Sequence, residues 1–134
     1  MTVEEDFAYG LPAGLSDAEA APLLCAGVIG YRALKRCALP EGGSLGIFGF
    51  GASAHITMQV ALARGARVYV FTRSRTHREL ALNMGAVWAG GVEEHSPVML
   101  DSAIVFAPAG WILPVALQRL SNGGNLSLAG IHMT

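Results

Sequence analysis

The sequence predicts an α/β fold, a doubly wound parallel sheet of about five strands covered by helices on both faces. Three observations predict it. Short apolar runs bounded by glycine alternate with stretches of roughly ten residues at helical period, the pattern of successive βαβ units. The apolar runs show no polar alternation, as strands buried on both faces require. Finally, 134 residues with 52% hydrophobic and 14% charged side chains, at a mean hydropathy of +0.44, suffice for one domain with a single well-filled core. Right-handed crossovers then favour the strand order 3-2-1-4-5.

The elements follow in order. Ser16 and Glu19 have capping-box spacing, so a short helix begins near Asp17, and Pro22 marks its break or restart. A second apolar helical stretch runs from Cys25 to Arg36, and the turn residues Pro40 to Gly43 end it. The first strand is Leu45 to Phe48. A helix follows over Ala52 to Arg64, with Ile56, Val60 and Ala63 at helical spacing and Gly65 at a left-handed C-cap. Arg67 to Phe71 is the second strand, Thr76 to Met84 a helix closed by Gly85, and Ala86 to Trp88 a short third strand. Gly90 to Pro97 has little pattern. Ser102 to Phe106 is the fourth strand. Leu113, Ala116, Leu117 and Leu120 form the apolar face of the next helix, and Asn125 to Ala129 is the fifth strand. A sixth strand, which a complete dinucleotide fold would use, is missing. Residues 1–40 read as an N-terminal segment with helices, and residues 41–134 as a truncated doubly wound domain.

Composition excludes several classes of function. A net charge of −1, from nine basic and ten acidic residues, supplies no basic stripe for nucleic acid. Cys25 and Cys37 form neither a disulfide framework nor a C-x-x-C metal module, and the acidic start, Met1 to Phe7, does not resemble an export signal; a cytoplasmic protein is expected. The uncharged stretch from Gly42 to Ala63 has the length of a membrane span, but its glycines divide it into strand, turn and helix.

Gly49, Phe50, Gly51, Ala52, Ser53 and Ala54 match G-x-G-x-x-G/A directly after a predicted strand and at the start of a predicted helix, the fingerprint of a Rossmann-type dinucleotide site. Gly49 permits the tight turn, Gly51 lets backbone approach a pyrophosphate, and Ala54 lets helix and strand touch, while the helix N-terminus offers N–H groups to phosphate. The plain alternative is a tight turn with no ligand. An NAD site would carry an acid about 20 residues past the glycines to hold the ribose 2′-hydroxyl. There is no acid from Gly42 to Arg78; Thr72 and Arg73 follow the second strand, with Arg75 and Arg78 beyond. Guanidinium groups suit a 2′-phosphate, so NADP is expected over NAD; the alternative is a solvated basic turn.

Ala21-Pro-Leu-Leu-Cys-Ala-Gly27, the glycine motif continuing to His55, and the final Ala129-Gly-Ile-His-Met133 together resemble the nucleotide-binding half of zinc-dependent medium-chain alcohol dehydrogenases, from about Phe7 onward. The resemblance implies an oxidoreductase that moves hydride between a nicotinamide cofactor and a small alcohol or aldehyde, with a catalytic zinc. It implies Cys25 as one zinc ligand, the others lying outside this sequence. It sets Ala107 and Pro108 beside the cofactor ribose, and Ala129, Gly130 and Ile131 along the nicotinamide. Ile29 stands where many members carry threonine, which puts one nicotinamide contact in question. By itself Cys25 reads as a small buried hydrophobe, and Cys37 keeps that reading.

No residue of this sequence is identified as catalytic. His55 reads as a packing or hydrogen-bonding residue, His77 as a solvated loop histidine that could assist a 2′-phosphate, and His132 lacks a partner that would make it a base. Trp88 and Trp111 read as a core and a helix-start aromatic. The rival readings are a zinc-free quinone-type reductase, against which Cys25 argues, a non-catalytic dinucleotide module, and a methyltransferase. A homo-oligomer is left open, and neither nucleic acid nor membrane is expected as a partner.

Overall fold

The computed structural model describes residues 2–130, so Ile131 and His132 lie outside the described residues. Five parallel strands, β1 (Ser44–Phe48), β2 (Arg67–Phe71), β3 (Trp88–Gly90), β4 (Leu100–Val105) and β5 (Leu120–Leu128), form one sheet in the order β3-β2-β1-β4-β5. The expected strand order is therefore observed. Among the described residues five α-helices accompany them, α1 (Asp17–Ala20), α2 (Ala26–Arg36), α3 (Ala52–Ala63), α4 (Arg75–Asn83) and α5 (Ile112–Gln118), besides short 3-10 turns at Glu5–Phe7 and Ala21–Leu24.

All five residues of β1 are buried, because it is the central strand and helices cover both its faces. Successive side chains point to opposite faces and feed two cores. Leu45 and Ile47 join Val68, Val70 and Ile104 beneath Leu34, Ala54, Met58 and Ala81, so α2, α3 and α4 cover one face. Phe48 joins Tyr69, Phe71 and Val105 beneath Ile112 and Ala116, so α5 covers the other. Phe48 and Phe71 stack at 4.2 Å and 2°. The helix α2 is tied to the sheet directly: the Ser102 hydroxyl donates to the Cys37 carbonyl at 2.7 Å, and both residues are fully buried.

The capping box is formed as expected, with the Glu19 amide donating to Ser16 Oγ and the Ser16 amide donating to the Glu19 carboxylate. Gly65 and Gly85 end their helices at φ of +79° and +107°. Three expectations need correction. The third strand begins at Trp88, two residues late, because the Ala86 amide still donates to Ala81 of the preceding helix and ladder pairing opens at Tyr69↔Trp88. The buried face of α3 is Ala54, Thr57, Met58 and Ala61; Ala63 is exposed, and Ile56 and Val60 are half-buried. This helix lies between the sheet and α2, so its apolar residues surround it and period alone does not select the inner face. In α5 the inner residues are Ile112 and Ala116, Leu117 is exposed, and Leu120 belongs to β5. The helix ends early because the Leu100 amide donates to the Arg119 carbonyl and draws the following residues into the ladder.

Candidate dinucleotide cleft

The carboxyl ends of β1, β2 and β4 meet along one line. Ladder bonds continue past the strands: the Gly49 amide donates to Phe71, those of Phe106 and Ala107 donate to Phe48, that of Thr72 to Gly90 and that of Ala129 to Val105. These bonds fix the loops that leave the sheet and open between them a cleft of about 890 Å³. It lies where the strand order reverses, β1 leading to β2 on one side while β4 sits on the other, the place where open α/β sheets bind ligands.

The two glycines of the motif have different requirements. Gly49 has a φ of +90°, and a Cβ there would lie 2.8 Å from the Ala107 amide nitrogen, so the turn itself demands glycine. Gly51 has extended backbone, φ −101° and ψ −167°, and a Cβ there would meet nothing within 4 Å. The protein's own packing gives no reason for glycine at this position. Gly51 is also the N-cap of α3 and provides no side-chain acceptor, and the first turn of that helix carries no acid. The leading N–H groups of α3 therefore face the cleft with their positive end uncompensated, which suits an anionic group.

Gly49, Phe50, Gly51, Ala52, Ser53 and Ala54 all line the cleft, as do Thr72, Arg73, Ala107, Pro108 and Ala129. Gly130 is described but does not line it, and Ile131 lies outside the described residues. Arg73 is exposed, and its guanidinium makes no hydrogen bond or ion pair among the described residues. Arg78 is oriented differently. Its Nε donates to the Thr72 carbonyl at 2.8 Å, one terminal nitrogen lies 3.4 Å from the Glu94 carboxylate and the other 3.4 Å from the Arg73 carbonyl, so it braces the loop from behind instead of lining the cleft. Arg75 pairs with Glu79 on the surface.

Sequence reasoning missed Ser74 and read His77 first as a solvated loop histidine; both line the cleft beside Arg73. Ser74 caps α4 by accepting the His77 amide, and this brings both residues to the rim; the serine two residues ahead of the expected helix start was the readable signal. His77 faces Phe50 and His55, with 6.2 Å between ring centroids in each case. His55 packs edge-on to Phe50 at 4.3 Å, and its Nε2 is buried without a partner. Burial, and secondarily the neighbouring His77, hold the His55 imidazole below its ordinary pKa, so the neutral ring is favoured behind Phe50.

Cys25 is exposed at the N-cap of α2, and the described residues contain no group of three or more His, Cys, Asp or Glu that could hold a metal. Cys37 is wholly buried, its thiol 3.1 Å from the Leu34 carbonyl, and burial raises its pKa. No helix among the described residues is long and apolar enough to cross a membrane.

No protein-family model matches the chain. It is 56% identical over 133 residues to a probable alcohol dehydrogenase of Mycobacterium tuberculosis, a match covering 99% of this chain and 38% of that protein. It is 32% identical over 134 residues to an alcohol dehydrogenase of Geobacillus stearothermophilus, covering 94% of this chain and 40% of the relative. The structure of CAD from Helicobacter pylori complexed with NADP(H) superposes with a TM-score of 0.75 at 34% identity, covering 84% of this chain and 32% of that one. The chain thus spans about two fifths of the length of the curated relatives that it matches.

Proposed function

We propose that this segment, which is similar over nearly its whole length to part of known alcohol dehydrogenases, is the cofactor cradle of an NADP(H)-preferring, zinc-dependent alcohol dehydrogenase. The protein would be an oxidoreductase acting on a small alcohol or aldehyde in the cytoplasm. Gly51 carries the reading. It is a glycine that neither backbone geometry nor packing requires, at the mouth of a helix with uncompensated N–H groups, so its missing side chain makes room for an occupant of the cleft.

When bound, the nicotinamide accepts or donates the hydride. The residues of the chain bind and orient. Amides at the start of α3 receive the pyrophosphate, and Gly51 admits it to close range. Arg73, with Thr72, Ser74 and His77 beside it, receives the 2′-phosphate, because a cation and hydroxyl donors suit phosphate and no carboxylate lines the cleft to hold a ribose diol. Ala107 and Pro108 flank the ribose, and Ala129, Gly130 and Ile131 follow the nicotinamide. Residues 41–134 constitute the cradle and residues 1–40 lead into it.

Cys25 would supply one thiolate to the zinc. The described residues do not make a metal site alone, since a catalytic zinc needs about three protein ligands. The remaining ligands would come from the part of the relatives' length that this chain does not span. The test uses the full-length protein. Its kcat/KM for NADP(H) should exceed that for NAD(H) and the ratio should fall in Arg73→Ala, while Cys25→Ala should lose bound zinc by metal analysis. Equal use of the two cofactors, or retention of zinc by the variant, would contradict the corresponding part of the reading.

A further inference from the structure

We propose that Glu94, on the β3–β4 loop, is a specificity-determining residue that withholds Arg78 from the 2′-phosphate end of the cleft and so limits the preference for phosphorylated nucleotides. The inference rests on the reading of the cleft as a dinucleotide site. Its basis is a juxtaposition the linear sequence does not show. One carboxylate oxygen of Glu94 accepts the Gly91 amide at 2.8 Å and lies 3.4 Å from the Arg78 guanidinium. Gly91 makes this approach possible, since a Cβ there would come within 3.0 Å of the carboxylate and 3.2 Å of the guanidinium. Arg78 gives two further donors to the carbonyls of Thr72 and Arg73. Two arginines follow β2 close to the cleft, and Glu94 removes one of them from the field that a 2′-phosphate would meet, leaving Arg73.

The loop carrying Glu94 is itself held. Arg119, 8% exposed, has no carboxylate partner among the described residues; it donates to the carbonyls of Glu93 and Glu94 at 3.3 Å each and contacts His95 Nδ1 at 2.9 Å. A guanidinium buried without a counter-charge is costly, and here it is spent on fixing the backbone on either side of the Glu94 Cα. Glu94 therefore has a defined position relative to Arg78 although its own side chain is largely exposed.

The test measures affinities of the full-length protein for 2′,5′-ADP and 5′-AMP, two fragments that differ only in the 2′-phosphate. Glu94→Gln keeps the acceptor for Gly91 and removes the charge. It should tighten 2′,5′-ADP by about threefold to tenfold, the lower range of a solvent-screened charge-assisted contact, and leave 5′-AMP within about twofold. Glu79→Gln makes the same change of net charge at the Arg75 pair and should leave the ratio of affinities unaltered. An unchanged or lowered ratio in Glu94→Gln, or an equal gain in Glu79→Gln, would overturn the assignment. The unmutated ratio separately tests the NADP reading: if 2′,5′-ADP is not preferred there and Glu94→Gln still raises the ratio, that reading fails and the role of Glu94 stands.

Discussion

Gly51→Val separates the needs of the fold from those of the ligand. At this position the backbone is extended, a conformation valine adopts readily, and the first side-chain atom has no neighbour within 4 Å. An apolar residue at a helix N-cap costs about 1 kcal/mol relative to glycine, and removing glycine from the unfolded chain returns about 0.4–1 kcal/mol. Stability should therefore change by less than about 1 kcal/mol in urea unfolding. Binding should change far more, because the new side chain fills the approach to the amides of α3. The loss of two charge-assisted hydrogen bonds, about 1.5–3 kcal/mol each, corresponds to at least a hundredfold weaker dinucleotide binding by calorimetry. Gly49→Ala supplies the contrast. With φ at +90° and a Cβ 2.8 Å from the Ala107 nitrogen, it should destabilise the fold by about 1–3 kcal/mol whether or not ligand is present. If Gly51→Val unfolds normally and binds NADP+ within threefold of the unmutated protein, the argument that this glycine serves a ligand is refuted.

Ala38, just past the end of α2, is the non-glycine residue with positive φ, +46°, among the described residues, so Ala38→Gly should raise stability by about 0.5–1 kcal/mol in the same unfolding assay. In native conditions at pH 8 an aromatic disulfide reagent should titrate the exposed Cys25 at once and Cys37 only after denaturation, since Cys37 is fully buried and its thiolate disfavoured. His55 has a folded-state pKa below its unfolded value, so the unfolded chain binds the proton more tightly. The stability this neutral ring contributes is complete above about pH 6.5 and is lost as pH falls through the lower folded value; His55→Phe should flatten the pH dependence of Tm in that range.

The fold was legible because each crossover unit carries its own local signals. Buried strands read as unbroken apolar runs, Gly65 and Gly85 mark left-handed helix ends, and the handedness of crossovers constrains the strand order. The limits of β3 were not legible, since Ala86 and Val87 look like strand residues and only the helix-ending bond to Ala81 shows otherwise. The glycine motif and Arg73 were likewise readable, because they follow their strands directly. That Arg78 does not line the cleft was not legible, for a physical reason. Sequence can show that no acid is near it along the chain, but Glu94 lies 16 residues away and arrives through the β3–β4 loop, itself pinned by Arg119 from beyond α5. His77 and Ser74 were undervalued because a cap that turns a residue inward is a tertiary fact until the helix start is fixed.

The most direct test of the central claim is a titration of the isotope-labelled protein with NADP+, followed by amide chemical shifts. The account predicts saturable shifts at Gly49 to Ala54, at Thr72 to Ser74 and His77, and at Ala107 and Ala129, with the outer surface of α2 unmoved. Absence of saturable shifts at millimolar NADP+, or saturable shifts confined to residues away from the carboxyl ends of β1, β2 and β4, would contradict it.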